Sequence, residues 1–153
     1  MARGEASIVI NRPSADVLDF VMDLRQYRQV DEKLGTIHSI REAEDGNGVL
    51  VNFSPKVLGL PGPKTTQRVA RGNDRIDISG IPAWTDALMT FTAFFQLEPV
   101  AGGTNVTRNL NFRFTKAFAW ALDPVFERWL AKAVPQELAN AKEYLEARRD
   151  RQQ

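Results

Sequence analysis

The sequence predicts an α+β domain: a curved, seven-stranded antiparallel sheet wrapped around a long C-terminal helix, with two short helices between the first and second strands. Three observations predict it. Residues 123–149 place Phe126, Leu130, Val134, Leu138, Ala141 and Leu145 at steps of three and four, a single apolar stripe on a helix. At about 1.5 Å per residue that helix spans roughly 35–40 Å and needs a broad surface to lie on. Upstream of it, β-branched and alternating runs recur between turn-forming clusters. Finally, the first such run is followed by a proline-containing turn and a short amphipathic segment rather than by a hairpin.

Taken in order, Ala6 to Ile10 is the first strand, and Asn11-Arg12-Pro13-Ser14 stops it, with Ser14 the expected cap of a helix. Val17, Phe20, Val21 and Leu24 then fall at i, i+3, i+4 and i+7. Arg25 to Lys33 reads as a second short helix or turn around Tyr27 and Val30. Ile37 to Ala43 and Val49 to Phe53 form a hairpin across Glu44-Asp45-Gly46-Asn47-Gly48, whose Asp-Gly and Asn-Gly pairs accept positive φ cheaply. Pro55 to Lys64 holds three prolines and two glycines, which excludes a regular strand, yet it carries Val57, Leu58 and Leu60. Thr65 to Arg71 and Arg75 to Ser79 make the next hairpin, and 81–84 is a connector.

The two longest strands are Thr85 to Glu98 and Thr104 to Thr115. In the second, Val106, Arg108, Leu110, Phe112 and Phe114 share one face and polar residues share the other, so one face is covered. Asp123 is the expected cap of the long helix, with Pro124 in its first turn. Pro135 should kink that helix near residues 131–134.

The 153 residues fit one domain, 1–153, with no internal repeat or linker. A formal charge of +1 gives no electrostatic case for nucleic acid. There is no cysteine and a single histidine, His38, which leaves no thiolate chemistry and no multi-histidine metal site; no cofactor is expected. No apolar run reaches the roughly 18 residues of a membrane span and MARGEASIVI has no signal-peptide core, so the expectation is a cytoplasmic protein without integral membrane association. Oligomeric state is left open by the sequence.

This order of elements resembles the START/Bet v 1-like superfamily, the helix-grip or SRPBCC proteins, including its polyketide cyclase/dehydrase and coenzyme Q-binding branches. Three pieces carry the likeness: the opening Ile8-Val-Ile-Asn-Arg-Pro-Ser-Ala-Asp-Val-Leu-Asp-Phe-Val, the late Phe95-Gln-Leu-Glu-Pro-Val-Ala-Gly-Gly-Thr-Asn-Val-Thr, and the long last helix. The resemblance implies the helix-grip fold and a cavity between sheet and helix that holds a small hydrophobic molecule such as a lipid, quinone or polyketide-like aromatic.

Within that expectation Trp84, Phe91, Phe95, Leu110 and Phe112 are candidate lining residues. Phe126, Trp129, Leu130 and Val134 are expected to line the cavity from the helix, while Leu138, Ala141 and Leu145 seal its far end. Arg108 is the most informative polar residue: on the covered face its guanidinium needs a carboxylate or a polar ligand group, unless it reaches water at a strand end. Tyr27, beside Asp31, and His38 are weaker candidates for proton-transfer or hydrogen-bonding roles. Residues 57–62 are a lid, a protein or membrane-surface contact, or simple packing against a strand end. The leading function is binding or transport of a hydrophobic ligand. The alternatives are an enzyme of cyclase, aromatase or dehydratase type and a protein-interaction member of the toxin-antitoxin or ribosome-associated kind.

Overall fold

Strand β1 (Ala2–Ile10) is followed by α1 (Ser14–Met22), α2 (Leu24–Tyr27) and a 3-10 turn at Glu32–Leu34. Then come β2 (Thr36–Glu42), β3 (Gly48–Ser54), the short β4 (Lys56–Val57) and β5 (Leu60–Pro61), β6 (Thr65–Arg71) and β7 (Arg75–Gly80). A second 3-10 turn at Trp84–Ala87 leads into β8 (Met89–Val100), β9 (Gly103–Phe114) and α3 (Lys116–Gln152). This computed structural model describes all residues except Asp45, Pro82 and Gln153, and describes no side chain for Trp84, Thr85, Arg149, Asp150, Arg151 or Gln152.

Seven strands form one sheet in the order β1-β9-β8-β7-β6-β3-β2, every pairing antiparallel. The longest ladder runs from Met89 opposite Phe114 to Val100 opposite Gly103. Because all neighbours are antiparallel, the segments 55–64, 81–88 and the start of α3 leave from one edge of the sheet. The tight turns at 43–47, 72–74 and 101–102 occupy the other edge.

The predicted stripe of α3 is buried: Phe126, Leu130, Val134, Leu138, Ala141 and Leu145 are all at most 5% exposed. The helix lies over β1 and β9, and Gly4 sets how close it comes. A Cβ at Gly4 would stand 2.6 Å from the Leu130 Cβ, so its missing side chain is what admits Leu130 and Val134 against the sheet.

Several boundaries differ from the sequence reading. Helix α3 begins at Lys116, not Asp123: the Thr115 carbonyl accepts from Phe118 and Ala119 at 3.0 Å each, and the alanine-rich 117–121 run propagates the helix. Pro124 and Pro135 both lie inside it. Each removes one helical donor, leaving the carbonyls of Trp120 and Ala131 without that partner, and both of those residues face solvent. Ser14 does not cap α1; its hydroxyl shares a 3.1 Å hydrogen bond with Thr104 of β9. The eighth strand starts at Met89, because Trp84–Ala87 is helical. Finally, β4 and β5 turn the proline-rich 55–64 stretch into a small ribbon, tied by Gly62 N–H to the Pro55 carbonyl at 2.6 Å.

The face that β2 turns inward is decided by a bulge at His38. Ile37 pairs with Phe53 and Ile40 with Val51, so one extra residue brings both isoleucines to the inner face and leaves His38 outside.

Candidate functional site

Arg108 stands in the middle of β9 with 4% of its surface exposed. Its Nε donates to Glu137 Oε2 at 3.0 Å, and its Nη2 lies 3.8 Å from Asp31 Oδ2. The guanidinium carbon is 4.1 Å above the ring of Phe95. Tyr27, at the end of α2, donates its hydroxyl to the same Glu137 Oε2 in a short hydrogen bond. Lys33 Nζ closes the cluster, 2.6 Å from Glu137 Oε1 and 2.8 Å from Asp31 Oδ1. Local structure aims these groups: Asp31 opens the 3-10 turn by accepting from the Lys33 backbone N–H at 3.1 Å, which bends the chain after α2 back toward α3.

Two cations and two carboxylates thus face one another out of water. Burial pushes Glu137 up, but Arg108 and Lys33 outweigh it and hold its carboxyl below the ordinary 4.5. Burial, then the charge of Glu137, raises Asp31 above the ordinary 3.8 despite Lys33 and Arg108. Glu137 is therefore the firmly ionised member of the pair and Asp31 the one that keeps a proton longer. Burial and the Glu137 charge also raise Tyr27 well above its usual value, so its hydroxyl stays a donor. For Lys33 and Arg108 burial acts to lower the pKa, but the facing carboxylates overcome it and keep both charged.

Among the described residues, nothing accepts from the buried Nη1 of Arg108. Arg108 also lines a cavity of about 140 Å³ whose walls include Phe53, Met89, Phe91, Leu110, Phe112 and Trp129. A smaller chamber of about 40 Å³ lies beyond it, walled by Leu24, Val51, Val69, Ile78 and Phe95. Arg108, Asp31, Leu34, Gln67 and Phe91 border both spaces.

Of the residues predicted from sequence, Arg108, Phe91, Leu110, Phe112 and Trp129 meet around the larger cavity, and Phe95 and Tyr27 around the smaller. Phe126, Leu130 and Val134 do not border either. The space expected beneath them is closed because Gly4 lets the helix settle directly onto β1, and the void is displaced toward β3, β6 and β8. There it is roofed by Leu34 and by Pro55, Val57 and Pro63 of the ribbon segment, with Trp129 reaching it from the helix. His38 lies outside, its Nε2 2.8 Å from Ser54 Oγ. The side chain of Trp84 falls outside the described residues. In the 57–62 stretch Val57 faces the cavity, whereas Leu58 and Leu60 are 38% and 67% exposed.

Sequence reasoning missed Glu137 and Lys33. Glu137 had a readable signal: it falls three residues after Val134 and four before Ala141, squarely on the apolar stripe. An acid at such a position and an arginine on the covered face of the last strand each need a partner, and they are each other's.

Among the described residues no His, Cys, Asp and Glu group is arranged to hold a metal ion, and no helix is long and apolar enough to cross a membrane. The family described as polyketide cyclase/dehydrase and lipid transport matches residues 1–146. No curated protein matches the sequence. Among solved structures, a START superfamily protein from Mycobacterium smegmatis is similar over the full length of both chains, with a TM-score of 0.73 at 15% identity. Thermus thermophilus TTHA0849 gives a TM-score of 0.73 at 16% identity, covering 95% of this chain and 97% of that one. The di-domain ARO/CYC StfQ of the steffimycin biosynthetic pathway gives 0.71 at 12% identity, over 97% of this chain and 52% of its own. At such identities the likeness is one of fold.

Proposed function

The chain belongs to the polyketide cyclase/dehydrase and lipid transport family, and from that premise we propose that it binds a small, largely apolar molecule carrying a neutral hydrogen-bond acceptor. The observation that carries this reading is the unpartnered, buried Nη1 of Arg108 beside an aromatic-walled cavity of about 140 Å³. A void of about 150 Å³ suffices for a benzene ring. An orphan guanidinium donor costs on the order of 1–3 kcal/mol until something accepts from it. Arg108 and Lys33 are already balanced by Glu137 and Asp31, so the inner site suits a ketone or quinone oxygen better than a carboxylate. Calorimetry with acetophenone and its apolar counterpart ethylbenzene tests it. Acetophenone should bind at least about tenfold tighter, the worth of one charge-assisted hydrogen bond. Equal affinities, or no binding of either, would refute the reading.

One observation favours a second reading, catalysis. Asp31 borders the cavity beside Arg108 and its carboxyl is raised by burial and by Glu137. A carboxylate whose proton affinity is raised, next to a guanidinium that binds the carbonyl oxygen, is the equipment for enolisation of a ketone: Asp31 takes the α-proton while Arg108 stabilises the enolate oxygen. The corresponding test is exchange of the acetophenone methyl hydrogens in deuterated water: acceleration by the protein, lost in Asp31→Asn, supports catalysis, and a background rate leaves binding alone.

A further inference from the structure

A groove of about 520 Å³ lies on the surface next to the cavity, and its lining differs from everything inside. Arg25, Arg28 and Lys56 border it, against Glu32 as the sole carboxylate among its described residues. All three cations are exposed, and none forms an ion pair with a described carboxylate. Arg28 is held in place because its Nε donates to the Gly35 carbonyl. The hydroxyls of Thr36 and Ser54 and the amide of Gln29 complete a rim of donors.

This arrangement contrasts with the inner cluster. Inside, two cations meet two carboxylates; outside, three cations meet one. The two spaces also share a wall, since Lys56 of the ribbon borders both the groove and the cavity. Just across that wall Lys33, Lys56 and Trp129 also border a third space of about 170 Å³ against α3, so the ribbon is where the interior comes nearest to solvent. We propose that the groove is an anion site for the phosphate end of an amphipathic ligand whose apolar, carbonyl-bearing end occupies the cavity. Planar guanidinium forks on Arg25 and Arg28 suit a phosphate's several oxygens, and the mobile ammonium of Lys56 follows it at the rim. The proposal rests on the cavity-binding reading for the apolar end, while the charge of the groove stands by itself.

The test uses three probes: acetophenone bearing a para hexyloxy chain that ends in phosphate, the same compound ending in a neutral alcohol, and inorganic phosphate. Binding is followed by calorimetry and by tryptophan fluorescence on the wild type and on the Arg25→Glu, Arg28→Glu double variant, both sites being exposed and neither bordering the cavity. The phosphate-ended probe should bind about tenfold or more tighter than the alcohol, an advantage that shrinks with added salt and disappears in the double variant, with the alcohol's affinity unchanged. Equal affinities for the two probes, or an advantage that survives the double variant, would overturn the groove and leave the cavity reading standing. If the alcohol fails to bind the wild type, the cavity reading falls. Inorganic phosphate that then perturbs the groove alone marks a free-anion site and overturns the amphiphile.

Discussion

At the scale of single residues the buried quartet sets two opposite pH dependences. Glu137 is depressed, so its stabilisation is fully present above its unfolded value near 4.5 and is lost as pH falls through its lower folded value. Asp31 is raised, so the folded state is favoured while it is protonated, and that contribution is lost as pH rises from about 3.8 through its folded value. Glu137→Gln should therefore cost about 3–5 kcal/mol at neutral pH, since it strands Arg108 and Lys33 out of water, and should flatten the acid limb of the stability profile. Asp31→Asn should change neutral-pH stability by no more than about 1 kcal/mol and remove the decline on the alkaline side. Urea titrations from pH 3 to 8 measure both; a larger loss at Asp31 than at Glu137 would reverse the assignment of the ionised carboxylate.

Among elements, α3 is governed by the sheet beneath it as much as by its own stripe. Gly4 is needed for space and not for backbone freedom, because its φ is not in the left-handed region. Gly4→Ala should push Leu130 and the helix outward and cost about 1–3 kcal/mol, read as a lowered urea midpoint at constant m. A Gly4→Ala protein with wild-type stability would show that the helix is free to shift. How far this architecture could be read in advance follows from the kind of signal each element leaves. Alternation in 104–115 and the 3.6-residue stripe record burial, which is why the antiparallel strands, the buried face of the helix and the place of Arg108 on the covered face of its strand were legible. Where the cavity is left depends on the absence of atoms at Gly4, contributed by a strand more than a hundred residues away. Glu137 was hidden for a related reason: in one dimension, an acid on an apolar stripe looks like a gap in the pattern.

For the molecule as a whole, the two edges of the sheet have separate tasks. The hairpin turns hold one edge shut, while the ribbon, the Trp84–Ala87 turn and the start of α3 cover the other with little regular pairing. Leu58 sits at φ 56°, strained for a residue with a side chain, and lies between the half-buried Val57 and the exposed Leu60. Amide hydrogen exchange should accordingly be fastest in residues 56–63, and a cavity ligand should slow it there before it slows β8 or β9. Uniform protection, or slowing confined to the opposite hairpins, would contradict entry beneath the ribbon. Val57→Trp, which fills the mouth from the ribbon side, should weaken acetophenone binding about tenfold or more without the loss of stability expected at Glu137.

The position of Arg108 on the walls of both chambers has a consequence for selectivity. Arg108 cannot swing aside like an ordinary flexible side chain, because leaving its place would abandon the ionised Glu137 at a cost of about 3–5 kcal/mol. The inner chamber of about 40 Å³ should therefore stay too small for a ligand to extend into. A one-sided ruler results: in a series of phenyl ketones lengthened one carbon at a time on the side that faces Arg108, affinity should climb while the outer chamber fills and then fall abruptly, whereas a tail directed under the ribbon runs out toward solvent and is tolerated. A ligand class would be recognised by the length of its inward end as sharply as by its chemistry.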